Sequence, residues 1–174
     1  VAGYMSVIVV IGIKKIDAAI EAFNKLNWPL VIVGEGEQGE YLRKIAGKNI
    51  KFAGFVESEK LAGYYQNAKA LIFPGEDDFG ITAIEAMASG TPVIALRRGG
   101  ARETVLEGIT GEFFDSSVAP LIADAVMRFI GKGSKYSADA MHAQAAKFSR
   151  QVFKKNMKEF VEKVLEIQKR EEGF

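Results

Sequence analysis

An α/β fold, with a parallel six-stranded sheet and helices on both faces, is what this sequence predicts. Two observations carry that prediction. Short apolar runs recur along the chain, and segments with apolar residues at helical spacing lie between them. The runs are nearly continuous rather than alternating, as expected of strands buried on both sides. A third observation fits: at 174 residues the chain has the length of one domain and can bury most of its apolar surface.

The predicted strands, in order, are Val7–Ile11, Leu30–Val33, Ile50–Phe52, Ala70–Phe73, Pro92–Ala95 and Gly111–Phe114. After the first strand, Ile16, Ala19, Ile20, Phe23 and Leu26 form one apolar stripe at helical spacing. Ser58 is read as the N-cap of a helix carrying Leu61 and Tyr65. A short helix runs from Phe79-Gly80 to Ser89-Gly90, and Leu121, Ile122, Ala125, Val126 and Phe129 make a further stripe. Gly131-Lys-Gly133 breaks the chain there, so residues 1–130 read as the sheet domain and 131–174 as helices completing it. The last helix carries Phe153, Met157, Phe160, Val164 and Ile167 at spacings of four and three, one narrow seam.

Composition excludes several functions. Twenty-three basic residues against 22 acidic ones give a net charge of +1, so no strong field argues for nucleic acid or an anionic membrane. Without cysteine there is no disulfide, thiolate nucleophile or thiolate-bound metal, and the lone His142 cannot build a zinc site by itself. The apolar start, Val7 to Ile11, is too short to span a bilayer and lacks a basic flank. These features lead us to expect a cytoplasmic protein.

Residues 73–94 are the most informative. A buried strand is cut by Pro74-Gly75 and followed by Glu76, Asp77 and Asp78, then by Phe79-Gly80 at a helix start. Asp77 and Glu85 stand eight positions apart, a spacing that lets both carboxylates face one pocket. Thr82-Ala-Ile-Glu85 also reads as a capping box, which would explain Thr82 and Glu85 without any ligand. Glu76 and Asp77 could equally be solvated loop acids. At Phe79, Gly80 and Ile81 a helix start offers unpaired amides and a positive dipole end, suited to a phosphate or a sugar hydroxyl. Gly34 to Gly39 matches G-x-G-x-x-G, the dinucleotide fingerprint, but Glu35, Glu37 and Glu40 would repel a pyrophosphate there. His142 reads as structural.

The stretch Asp77, Phe79-Gly80, Glu85-Ala86-Met87-Ala88, Gly90, Pro92-Val93-Ile94-Ala95 resembles the acid-x7-Glu signature of retaining glycosyltransferases with the GT-B fold, the family 4 or group 1 enzymes. Leu30-Val-Ile-Val-Gly-Glu-Gly36, Asn49-Ile-Lys-Phe-Ala-Gly-Phe-Val56, Gly99-Gly100-Ala-Arg-Glu-Thr-Val105 and Gly108-Ile-Thr-Gly111 are similar to flanking family segments, so the likeness covers roughly residues 14 to 130. It implies the C-terminal, Rossmann-like, donor-binding half of such an enzyme, its partner being an N-terminal acceptor-binding domain. It implies transfer of a sugar from a nucleotide-diphosphate donor, which is the substrate, with retained configuration and with no metal and no cofactor. Any peripheral membrane association would belong to the full-length enzyme.

Carried over residue by residue, the resemblance makes Asp77 and Glu85 the catalytic-site acids, with Glu76 the alternative to Asp77. Glu85 would accept hydrogen bonds from the ribose, and the first acid would hold the transferred sugar. Phe79, Gly80, Ile81 and Thr82 would line the donor, with Gly34, Phe55 and Val56 near the nucleoside. Lys14 or Lys15 fits the family's diphosphate-binding Lys, whereas the family's Arg position falls near Val9 and its proline near Gly12. Arg97 and Arg98 are candidate replacements for that Arg or a solvated pair. The phrase Glu-Asp-Asp-Phe-Gly-Ile resembles mannosyltransferase-like members, which suggests GDP-mannose. The other readings are a non-catalytic nucleotide- or sugar-binding module and a dinucleotide-dependent oxidoreductase domain.

Overall fold

The structure is a computed structural model that describes residues 7–10 and 15–171. Six strands run parallel in the order β3-β2-β1-β4-β5-β6. They are β1 (Val7–Val10), β2 (Leu30–Val33), β3 (Ile50–Gly54), β4 (Ala70–Phe73), β5 (Val93–Leu96) and β6 (Gly111–Phe114). Strands β2 and β3 form one group and β4, β5 and β6 another; β1 joins them, pairing Val7 with Leu30 on one side and Ala70 on the other. The chain thus winds outward from β1 to β3, returns to the middle at β4 and winds the other way. The strand order therefore reverses between β1 and β4, a switch point of the kind at which open α/β sheets bind ligands.

Alternation along the strands distributes the core to two faces. Ile72, Ile94, Leu96 and Phe114 pack with α1 (Ile16–Leu26) and α6 (Ala119–Lys132), through Ile20, Phe23, Ile122 and Val126. Leu71, Val93, Ala95 and Phe113 point to the other face, against α3 (Ser58–Gln66), α4 (Ile81–Ala88) and α7 (Ala138–Ala146). Met87 and Met141 are completely buried there. Each such large apolar side chain contributes roughly 1.5–3 kcal/mol when withdrawn from water. The remaining helices are α2 (Gly39–Ile45), the short α5 (Ala101–Thr104) and the terminal α8 (Arg150–Glu171).

Several expectations shift. Strand β3 reaches Gly54, two residues beyond Phe52, because the Gly54 carbonyl accepts the amide of Gly34 at 2.7 Å. Strand β5 starts at Val93 because Pro92 has no amide to give the ladder. Ser58 lies inside α3; the cap is Glu57, and no side chain caps that helix. Leu121, expected in the core, is 40% exposed. Ile11 lies outside the described residues. The seam on α8 exists as read, but nothing among the described residues covers it: Phe153, Phe160 and Ile167 are 61%, 63% and 47% exposed. No helix among the described residues is long and apolar enough to cross a membrane.

Candidate functional site

The loop after β4 carries the acids, and the turn after β5 fixes its shape. The amide of Gly100 donates to the carbonyl of Asp77 at 2.9 Å, and the hydroxyl of Ser117 donates to the carbonyl of Pro74 at 2.6 Å. A Cβ at Gly99 would overlap the Asp77 carbonyl oxygen, and one at Gly100 would overlap the Phe79 carbonyl. The two glycines are therefore required by the close approach of one loop to another. Gly99-Gly100 stands out in the sequence only by its likeness to a family segment; this contact is the physical reason for the pair.

Within that loop the three acids separate. Asp77 turns back on its own chain and accepts the Phe79 amide at 3.3 Å. Glu76 and Asp78, in contrast, line a cavity of about 500 Å³ together with Lys15, Pro74, Leu96, Arg98, Ser116, Ser117 and Val118. Those residues end or follow β1, β4, β5 and β6, so the cavity sits at the C-terminal strand ends. Asp78 was not among the residues singled out from sequence, since spacing directed attention to Asp77.

Helix α4 begins differently from the capping-box reading. Its cap is Gly80, at φ 75°, a left-handed conformation glycine adopts freely, and no side chain caps the helix. Thr82 lies inside the first turn, so it does not cap, and Glu85 makes no return bond to it. The Phe79 amide goes to Asp77, and the amides of Gly80, Ile81 and Thr82 have no acceptor among the described residues. Phe79 is half-exposed and meets Phe148 edge-on at 6.0 Å. Glu85 is exposed, and its Oε2 accepts the Tyr65 hydroxyl at 3.3 Å. Burial raises the Tyr65 hydroxyl above its usual range, and the Glu85 charge and hydrogen bond raise it further, so it remains a donor. Tyr65 thus orients Glu85, a role that its place on an apolar helix face does not announce.

At the other half of the sheet, Glu35 accepts the Phe55 amide at 3.3 Å, Phe55 is 74% exposed and Val56 is half-buried. A second cavity, about 670 Å³, is lined by Ile16, Phe52, Leu42, Arg43 and the turn from Gly34 to Glu40. The Arg43 guanidinium stacks over the Phe52 ring at 4.6 Å. A Cβ at Gly36 or Gly39 would meet nothing within 4 Å, so this turn lacks the close packing that gives a dinucleotide fingerprint its glycines.

The remaining candidates divide. Lys14 and Gly12 lie outside the described residues, and position 9 is within β1. Lys15 is described and sits at the start of α1 with φ 67°. Arg97 is committed elsewhere, to Glu107 at 2.6 Å, to Asp115 at 3.0 Å and over the Phe113 ring. His142 is exposed on α7. No group of three or more metal-ligating side chains occurs among the described residues.

With the strand order, the loop pair and the cavity established, comparison with known proteins is informative. The family model described as glycosyl transferases group 1 matches residues 6–152. This chain belongs to the group 1 glycosyl transferases. Among relatives in that group, the lipopolysaccharide 1,2-N-acetylglucosaminetransferase of Salmonella typhimurium is 32% identical over 138 residues, covering 68% of this chain and 35% of that protein. A GDP-mannose-dependent α-(1-6)-phosphatidylinositol monomannoside mannosyltransferase of Mycobacterium tuberculosis is 37% identical over 114 residues, 58% of this chain and 30% of that protein. In structure, sucrose-phosphate synthase from Thermosynechococcus elongatus superposes with a TM-score of 0.80 at 26% identity, over 96% of this chain and 47% of that one. The group 1 chain described here therefore spans about a third of these curated relatives and about half of that solved enzyme, and it has the fold of one Rossmann-like half of a GT-B glycosyltransferase.

Proposed function

We propose that this chain is the donor-binding half of a retaining glycosyltransferase. It holds a nucleotide-diphosphate sugar at the strand C-termini, while a second, acceptor-binding domain closes the cleft. The observation that carries this reading is the acidic loop, held by Gly99-Gly100 against the open start of α4, in a member of the group 1 family. In this reading Glu85, oriented by Tyr65, accepts bonds from the ribose hydroxyls, work suited to a carboxylate with two acceptor oxygens. The free amides of Gly80, Ile81 and Thr82 face the sugar-phosphate end. An acid of the loop holds the transferred sugar and offsets positive charge developing at its anomeric carbon. Asp77 has the motif spacing; Glu76 has the cavity position.

Lys14 takes the diphosphate in this proposal, and Gly34, Phe55 and Val56 adjoin the nucleoside. Leaving-group charge is met by basic side chains and the helix dipole rather than by a metal. The proposed donor is GDP-mannose, supported by the Glu-Asp-Asp-Phe-Gly-Ile phrase and by the donor named for the mycobacterial relative. Transfer by the isolated chain is not expected, since the acceptor wall belongs to the other domain.

Titration calorimetry with GDP-mannose, UDP-glucose, GDP, UDP and NAD tests the proposal. Binding of a nucleotide sugar and its nucleoside diphosphate, with no response to NAD, is the expected result. NAD binding alone would overturn it, tighter binding of UDP-glucose would overturn the donor assignment, and sugar transfer by this chain alone would overturn the half-enzyme reading.

A further inference from the structure

Helices α4 and α7 lie side by side and run in opposite directions. A Cβ at Gly90, just past the end of α4, would meet the Cβ of Ala138 at 3.3 Å and the Nε2 of His142 at 3.4 Å, both early in α7. At the other end Phe148, just past α7, meets Phe79, just before α4, edge-on at 6.0 Å. Met87, Met141 and Ala145 are buried in the cluster between. The antiparallel pairing thus delivers the end of α7 to the start of α4, where the acidic loop lies.

Gln144, one turn before Phe148, is the polar residue of this contact. It is 4% exposed; its Nε2 donates to the Thr104 carbonyl at 2.9 Å and its Oε1 accepts Lys147 Nζ at 2.8 Å. An amide is costly to bury unless both ends are bonded, as here. Thr104 is the last residue of α5, and its carbonyl is one that a helix end leaves without a partner. A single turn such as α5 is too short to hold itself, so its neighbours set where it lies. Gln144 fixes its end. At its start, the buried Thr104 hydroxyl donates to the Gly100 carbonyl at 3.1 Å, and the Gly100 amide donates to the Asp77 carbonyl. Among the described residues no other hydrogen bond from outside the loop reaches residues 75–79. A string of hydrogen bonds therefore runs from α7 through α5 to the backbone of the acidic loop, and the Phe148 ring meets the same loop two residues on.

We infer that Gln144 and Phe148 are positioning residues for the transferred sugar: they hold the acidic loop, with Glu76, Asp77 and Asp78, in register with the open amides of α4. This rests on the donor-binding reading above and extends it to a helix that otherwise only completes the domain. Neither residue lines the cavity beside the loop, so each acts through the loop backbone rather than on the ligand. Their influence falls on the sugar end of the donor, since the loop after β4 carries the acids and the nucleoside lies at the other half of the sheet.

The test compares affinity for GDP-mannose with that for GDP, and for UDP-glucose with that for UDP, in the full chain and its variants Gln144→Met, Phe148→Ala, Phe148→Tyr and His142→Ala. Gln144→Met and Phe148→Ala should each lose about fivefold more affinity for the sugar nucleotide than for its nucleoside diphosphate, the size that one hydrogen bond or one aromatic pair supplies. Phe148→Tyr keeps the ring, and His142→Ala alters α7 away from the loop, so both should leave the ratio unchanged. Hydrogen exchange adds a second readout: the Gly100 amide should exchange faster in Gln144→Met, relative to the amides of β5. Phe148 is half-buried, so Phe148→Ala carries the test if Gln144→Met fails to fold. A ratio that holds in both variants, even where the urea midpoint falls, assigns the two residues to folding alone; it overturns the inference and leaves the donor-binding reading standing. Failure of the unaltered chain to bind any of the four nucleotides overturns both.

Discussion

At the β6 edge Glu112 is wholly withdrawn from solvent with every partner in place, whereas at the strand C-termini four charged groups share a recess with no ion pair between them. Glu112 accepts from Arg128 at 2.7 Å, from Lys132 at 2.6 Å and from the Tyr136 hydroxyl, while Arg128 also donates to the Phe113 carbonyl. Burial alone would push the Glu112 carboxyl up; Lys132, Tyr136 and Arg128 outweigh it and hold the group below the usual carboxylate range. The contrast separates two uses of charge. A buried carboxylate ringed by its own donors locks an edge strand to the helix after it and has nothing left for a ligand. Charges that cost little to keep hydrated, and stay unpaired, remain available to one.

The sharpest way to break that contrast is through the loop pair that shapes the recess. Gly100 has an ordinary φ of −62°, so Gly100→Ala carries no backbone penalty, yet its Cβ would meet the Phe79 carbonyl. We expect a loss of about 3 kcal/mol in urea unfolding together with lost nucleotide binding, because the acidic loop must move. An unchanged midpoint would show that the two loops do not touch as described.

Next in size is Glu112→Ala, expected to cost about 2 kcal/mol, below the usual range for a broken buried pair because Arg128 and Lys132 are 39% and 36% exposed. The sign with pH is fixed. A carboxyl with a depressed folded pKa stabilises above its unfolded value, near 4.3, and that contribution fades as pH falls through the folded value. The penalty measured at pH 7 should therefore shrink at pH 3, and nucleotide affinity at pH 7 should be untouched. A penalty that grew on acidification would contradict the arrangement.

Glu85→Gln should then weaken nucleotide binding by about 1–2 kcal/mol while the melting temperature stays put, since a Gln oxygen still accepts the Tyr65 hydroxyl. Affinity that survives the change would leave Glu85 with only its Tyr65 contact. Smallest of all, Arg97→Gln should cost under about 1 kcal/mol of stability, as its ion pairs are partly exposed. A larger effect would place Arg97 with the buried network rather than with the surface.

Much of this was legible in the sequence. Leu30–Val33, Ala70–Phe73 and Gly111–Phe114 were bounded correctly because apolar runs buried on both faces carry a strong signal. The α1 stripe was equally clear. A boundary failed where a neighbour decides, since β3 is lengthened by the Gly34 amide; the start of α4 was read correctly at Phe79-Gly80, but its cap was not, because a left-handed glycine, not Thr82, turns the chain. Within the site, the motif drew attention to Asp77 and Glu85. It gave no sign that Asp77 would turn toward Phe79 while Asp78 lines the recess, since adjacent acids in a loop have no periodicity to sort them. The roles of Tyr65 and of the Glu112 ring were likewise hidden, because each is defined by a partner at least 16 positions away.

Helix α8 runs for 22 residues, about 33 Å at 1.5 Å per residue, with its large apolar side chains in water. Such a helix draws little support from tertiary burial and depends on its own propensity and on i,i+4 pairs such as Lys155–Glu159 and Lys158–Glu162. Its amides should therefore exchange with solvent orders of magnitude faster than those of α1 or α4, and on warming it should unwind before the sheet does. The chain carries two thermal stabilities in one sequence, and a single melting temperature would describe only the one belonging to the sheet.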